Sequence, residues 1–220
     1  SGATLMNYRE RYSTISFLKR RISKTVIPFM FWNVVAGIFM AYTSKTSMDW
    51  NILHISDNIF NTRYFSIYWF FIPLFSIYLS LPLISRIAEY PALFSYSIVL
   101  GIIFVFTIPL ICNLLHINMN YGLIPPVING YIVYVMLGYI LNKTKLSKKI
   151  RIAIYLAGFV GWFIHFTGTT LLSAGVQEIN GTFKGYTNLP CFLHSAAVFV
   201  FFKYMDYEKV FGSFYNVFKK

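Results

Sequence analysis

The sequence predicts an all-α polytopic transmembrane helical bundle of about six spans, on three observations. Of its 220 residues, 57% are apolar and 20% aromatic, while only 12% are charged, about half the share of a water-soluble chain. Mean hydropathy is +0.59. The apolar residues gather into long runs free of Asp, Glu, Lys and Arg, and the charge falls in the segments between them. Backbone amides in hydrocarbon must be paired within the segment, and the runs are too long and continuous for barrel strands, so they are read as helices. The same figures exclude disordered, collagenous, coiled-coil and disulfide-framework classes.

The predicted spans, in order, are 26–43, 64–85, 93–115, 124–141, 152–172 and 189–202. Most reach the roughly 20 residues that cross a hydrocarbon core of about 30 Å; the last is short and borrows residues 203–205 by snorkelling. Pro28, Pro73, Pro82, Pro109, Pro125 and Pro126 lie in or at the edges of spans, where kinks are expected. The segment 207–220, YEKVFGSFYNVFKK, sets Val210, Phe211, Phe214, Tyr215, Val217 and Phe218 against Lys209, Lys219 and Lys220 and suits either the inner membrane interface or the lead-in to another span.

Charge sets the expected orientation. Of the 19 Lys and Arg residues, 16 fall in segments 1–25, 86–92, 142–151 and 203–220, and three in the alternating segments between them. By the positive-inside rule the first set is cytoplasmic, so both ends of this chain are expected inside a cell membrane. The net charge of +12 is therefore read as topology, not nucleic-acid binding, because the basic residues do not interleave with aromatics on one face.

Candidate chemistry is sparse. Cys112 and Cys191 lie within apolar runs and read as small buried hydrophobes. His54 and His116 fall in outer segments without metal-ligand spacing, and no metal site is expected. His165 and His194 are the ionisable residues inside predicted spans; an intramembrane His is a functional-site hypothesis, weighed against polar packing on a neighbouring helix. Both count to the outer half of their spans and are expected to be able to share one polar cavity. No P-loop, nucleophile-elbow or dinucleotide-binding fingerprint occurs.

Four stretches resemble the acyltransferase 3 family, membrane enzymes that O-acylate sugars. SGATLM followed by a basic segment is similar to the family's S-G-x-x-L helix exit. Phe17, Arg21, Lys24 and Pro28 resemble its F-x-x-x-R-x-x-R-x-x-x-P loop, with Lys24 in place of the second Arg. Trp69, Phe70, Tyr78, Leu79, Pro82 and Leu83 resemble its W-F…Y-L-x-x-P-L segment, and Gly138, Tyr139 and Leu141 its L-G-Y-x-L helix end.

The resemblance implies an acyl-CoA donor, acetyl-CoA foremost, and as acceptor a hydroxyl of a cell-surface glycan or its precursor. It points to Arg20, Arg21 and Lys24 as the donor-binding residues. The competing reading makes them topology-setting charges against anionic membrane lipid, and a small transporter or flippase is the non-enzymatic alternative for the whole chain. The family's catalytic His lies on a first span, in the pattern R/K-x(10)-H, which these residues do not contain. With Ser1 in place of an initiator Met, the chain reads as an internal fragment, expected to turn nothing over alone, or as a truncated relic. Lys-rich loops with frequent Ile, Asn and Tyr suit an AT-rich bacterial genome.

Overall fold

The computed structural model describes residues 2–45, 49–128, 130–176 and 178–211, so the segment 212–220 expected at the inner interface lies outside the described residues. The described residues form helices and turns, with no strand among them. They make two compact units: one runs from Thr4 to Leu93, and the other begins at Phe94 and takes in Gly2 and Ala3.

In the first unit, the end of α1 (Gly2–Leu5) continues into a tight turn over Met6–Glu10. Ser13 then caps α2 (Thr14–Arg21) by accepting a hydrogen bond from the Ser16 amide, the standard device for a helix N-terminus. Residues 22–26 hold no glycine or proline to stop the helix. A wider π-helical turn over Ile22–Val26 leads into α3 (Ile27–Thr43), making one continuous helix of 30 residues. The wide turn stands just before Pro28, which brings no N–H to the ladder. The segment expected as a loop ahead of span 26–43 is therefore largely helical.

After α4 (Ile52–Phe60), capped by Asn51, a tight turn over Ser66–Phe70 opens α5 (Phe71–Ile87). One face of α5 carries Phe71, Phe75, Tyr78, Pro82 and Ser85, repeating at helical spacing. Phe29 packs on Phe71 and Phe75, and Phe17 meets Tyr78 edge-on, so α2 and α3 run antiparallel to α5. Phe17 and Leu81 close the core at 1% and 0% exposure.

In the second unit, α6 (Pro91–Gly101), a π-helical stretch (Ile102–Thr107) and α7 (Ile108–Leu114) make a continuous helix of 24 residues. Again the wide turns precede a proline, Pro109. The predicted span 124–141 is not one helix. Residues Pro126–Ile128 form a tight turn, Gly130 takes φ +59°, and α8 begins only at Ile132 and ends at Lys143. Two consecutive prolines and a left-handed glycine explain the late start.

Then α9 (Lys148–Ser173) and α10 (Leu189–Tyr204) pack antiparallel with almost no gap. A Cβ added to Gly158 would lie 2.2 Å from the Ala197 Cβ, and one added to Gly161 would lie 2.6 Å from the Pro190 carbonyl oxygen. Such small-residue contacts let membrane helices approach closely. At the far end Lys203 donates to the carbonyls of Leu141, Asn142 and Thr144, closing the C-terminus of α8. A last short helix, α11, covers Tyr207–Phe211.

Among the described residues, the helices Thr14–Thr43, Ser66–Ile87, Pro91–Leu114 and Lys148–Ser173 are long and apolar enough to cross a membrane, and Ile132–Lys143 and Leu189–Tyr204 are shorter apolar helices. Leu156, Phe159, Phe163 and Phe166 stand exposed along α9, a surface that hydrocarbon covers at no cost and water does not. The chain is a multi-pass membrane protein.

Candidate functional site

Arg20, Arg21 and Lys24 come from the turn where α2 passes into the π-helical stretch. Their side chains diverge. Arg20 lies exposed with its guanidinium 4.1 Å from the Tyr12 ring centroid. Arg21 is half-buried between Phe17 and Tyr78, 5.3 and 5.4 Å from their centroids. Two aromatic faces hold a cation in place without neutralising it.

The environment of Arg21 is incomplete. Its Nε is buried and donates to nothing among the described residues. The ion pairs among those residues are His54–Asp49, Arg63–Asp57, Arg86–Glu89 and Lys209–Asp206, so no carboxylate neutralises Arg20, Arg21 or Lys24. A buried donor without an acceptor costs about 1–3 kcal/mol, more when charged. An anion at this position would recover that cost.

Depth along α5 sharpens the point. Tyr78 lies nine residues before Ile87, about 13 Å along the axis at 1.5 Å per residue. The ring that Arg21 meets therefore lies near the middle of the helix Ser66–Ile87. Sequence reasoning set Arg21 in a loop beside the span, because the register of α2 against α5 is not legible from either segment alone.

Lys24 borders a small cavity with Thr25, Pro28, Phe29, Trp32, Tyr68 and Phe71, of about 150 Å³. That is about half the lower bound for a site enclosing a drug-sized molecule. It has room for a narrow arm or an acyl end, with a larger charged portion remaining outside beside the basic residues. The lining is aromatic with one ammonium at its edge, which fits a ligand that is apolar at one end and anionic at the other.

Two residues near this cluster were not singled out from the sequence. Arg9 donates from Nε to Ser85 Oγ (2.9 Å) and from Nη2 to the Pro82 carbonyl (2.8 Å), fixing the chain entering α2 against α5. Asn33 is fully buried; its Nδ2 donates to the Phe29 carbonyl, while its Oδ1 has no partner among the described residues. A polar residue inside an otherwise apolar span was the available signal for Asn33. Nothing local marked Arg9.

His165 and His194 belong to the other unit. The antiparallel register sets Gly161 against Pro190 and Leu193 and Gly158 against Leu193 and Ala197, so His194 lies level with the Gly158–Gly161 turn and His165 about one turn beyond it. His194 is exposed in a groove between α9 and α10 of about 460 Å³, lined by Tyr155, Phe159, Trp162, Phe201 and Phe202 among others. His165 is not among the residues of that groove, and neither imidazole has a hydrogen-bond partner among the described residues. Among the described residues, no cluster of three or more His, Cys, Asp or Glu is placed to hold a metal.

Arg151 offers an internal comparison. It stacks on Tyr204 at 4.4 Å, and its Nε is likewise buried and unbonded. What distinguishes Arg21 is that Lys24, one turn on along the same helix, borders the aromatic cavity.

Comparison with protein-family models matches residues 1–209 to the acyltransferase domain of the acyltransferase 3 family. Comparisons with curated proteins and with solved structures return no match. The match takes in all of the basic turn, α5 and the close-packed α9–α10 pair, and the chain belongs to the acyltransferase 3 family.

Proposed function

We propose that this chain supplies the donor-binding part of a membrane O-acyltransferase, which takes an acyl group, acetyl from acetyl-CoA, to a hydroxyl of a cell-surface glycan or its precursor. The observation that carries the reading is Arg21, held half-buried between two rings with no acceptor for its Nε among the described residues. It is supported by Lys24 on the edge of a cavity too small for a nucleotide but wide enough for a thin arm.

In this arrangement Arg21 and Arg20 meet the phosphates of the donor. A guanidinium presents a planar fork that matches phosphate oxygens, and Lys24 adds a point charge. The pantetheine arm runs from that cluster toward Phe29, Trp32 and Phe71. Charge-assisted hydrogen bonds each contribute about 1.5–3 kcal/mol, so loss of either Arg21 or Lys24 is expected to weaken the donor roughly tenfold or more.

The test is equilibrium binding of acetyl-CoA to the chain in lipid nanodiscs, beside variants R20Q, R21Q and K24Q. Saturable binding that weakens in R21Q and K24Q supports the reading. Absence of binding, or binding indifferent to all three substitutions, overturns the assignment and leaves the basic turn as a topology signal facing anionic lipid.

A further inference from the structure

The second unit has two chemically different ends. One carries Lys143, Lys145, Lys148, Lys149, Arg151 and Lys203; the other is made of α7's C-terminus, the turns before α8 and the segment joining α9 to α10, and it is polar, with one acid, Glu178, and one base, Lys184. Here lies a cavity of about 350 Å³ whose polar lining is Asn113, Tyr121, Thr182, Thr187 and Asn188, together with Gly130 and Gly181. A second recess of about 500 Å³ shares Asn113 and Tyr121 with it and reaches His116 and Asn118. Both volumes fall in the range of small-molecule sites.

The walls are built rather than incidental. Asn180 accepts from the Thr182 amide through Oδ1, and its own amide donates to Ser173 Oγ. Asn188 Nδ2 donates to the Thr182 carbonyl at 2.6 Å, and Thr182 Oγ1 donates to Asn113 Oδ1 at 3.3 Å. Tyr134 donates to the Tyr186 carbonyl, and the Phe183 ring rests on Gly168 of α9. On the opposite wall, Asn120 Oδ1 accepts from the Gly122 amide and sets the turn that presents Tyr121.

These bonds leave a specific set of groups free. Asn113 accepts once through its oxygen and keeps its amide N–H₂; Asn188 donates one N–H to Thr182 and keeps its second N–H and its oxygen. The hydroxyls of Tyr121 and Thr187 have no partner among the described residues. Neither cavity has an Asp, Glu, Lys or Arg in its described lining. Separate neutral donors and acceptors beside an exposed aromatic ring match a molecule bearing several hydroxyls on an apolar skeleton. A cation or an anion would find no counter-charge within that lining.

We infer that this neutral cavity of the second unit is a carbohydrate site, in which Asn113, Thr187 and Asn188 bond the hydroxyls of a neutral sugar and Tyr121 covers its apolar face. The inference deepens the acyltransferase reading by giving its glycan acceptor a place, and to that extent rests on it. Opposite the basic end, the cavity falls on the outer side under the positive-inside rule, where a cell-surface glycan is met.

The experiment is saturation-transfer NMR on the chain in nanodiscs, with glucose, galactose, N-acetylglucosamine and their disaccharides as neutral probes and glucuronate as the charged control. At least one neutral probe is expected to bind in preference to glucuronate. Asn113→Leu and Tyr121→Ala are each expected to weaken it at least tenfold. Tyr121 is 70% exposed, so its truncation keeps the fold even where Asn113→Leu disturbs the Thr182 anchor. No binding by any neutral probe, binding unchanged in Tyr121→Ala, or equal binding of glucuronate overturns the assignment. Acetyl-CoA binding measured on the same samples separates the two readings. Sugar binding without donor binding overturns the donor-site assignment and leaves the cavity's; donor binding without sugar binding does the reverse.

Discussion

The contact between α9 and α10 makes a quantitative prediction, because a single methyl group decides how close the helices lie. In Gly158→Ala the new Cβ would stand 2.2 Å from the Ala197 Cβ and 3.2 Å from the Leu193 carbonyl oxygen. Carbon atoms in contact need about 3.5–4.0 Å, so the helices must part by roughly 1.5 Å at this point. Overpacking of that kind costs about 1–3 kcal/mol, offset by about 1 kcal/mol for replacing a helical glycine with alanine. Ala197→Gly alone loses about 1 kcal/mol of propensity.

The two changes together remove the clash, since the methyl has moved from one helix to the other. Gly158→Ala/Ala197→Gly is therefore expected to be about 1–3 kcal/mol more stable than the sum of the single variants implies, a coupling large enough for a double-mutant cycle. The assay is reversible unfolding in mixed micelles of increasing denaturing-detergent fraction, followed by far-ultraviolet circular dichroism. Single-variant effects that add within about 0.5 kcal/mol would refute the close approach of the two helices.

Two further outcomes rest on named contacts. Lys203→Met leaves the carbonyls of Leu141, Asn142 and Thr144 without their ammonium donor; a loss of about 1–3 kcal/mol is expected in the same unfolding assay, with faster amide exchange over 139–144, and unchanged stability would contradict it. Asp49 sits below the ordinary carboxylate range because it accepts from the Asn51 amide and pairs with His54. Its folded pKa is depressed, so these contacts are fully present above about pH 4 and are lost as pH falls through the lowered value. Carboxylate carbon shifts and Asn51 amide exchange measured between pH 6 and 2 track that transition, and Asp49→Asn abolishes it.

Much of the architecture was legible because lipid imposes a simple rule. The uncharged runs 64–85 and 152–172 needed only length and hydropathy, and the helices Ser66–Ile87 and Lys148–Ser173 cover them. The run 124–141 has the same hydropathy, yet Pro125, Pro126 and Gly130 delay its helix to Ile132. Hydropathy reports what a segment tolerates around it, not whether its backbone is helical. The reverse holds for residues 14–26, which read as loop from their charge but form helix for want of a breaker.

The site was legible by residue type and not by geometry. Arg20, Arg21 and Lys24 were visible through the family pattern, but the sandwich of Arg21 between Phe17 and Tyr78 depends on how α2 pairs with α5. Arg9 could not be singled out, since its partners at Pro82 and Ser85 lie more than seventy residues away. The neutral cavity is assembled from three separate polar segments, each of which alone reads as an ordinary connection. His165 and His194 were equal candidates by their position in spans, and the structure sets only His194 in the groove between α9 and α10.

The claim that a specific basic turn, and not the chain's general positive charge, holds the acyl donor is tested most directly by comparing R21Q with R151Q. Both arginines stack on aromatic rings with a buried, unbonded Nε, and each substitution removes one charge. Acetyl-CoA titrated into nanodiscs at constant ionic strength is expected to bind R151Q as it binds the unaltered chain and R21Q roughly tenfold or more weakly. Equal weakening in both variants, or none in R21Q, would contradict the account.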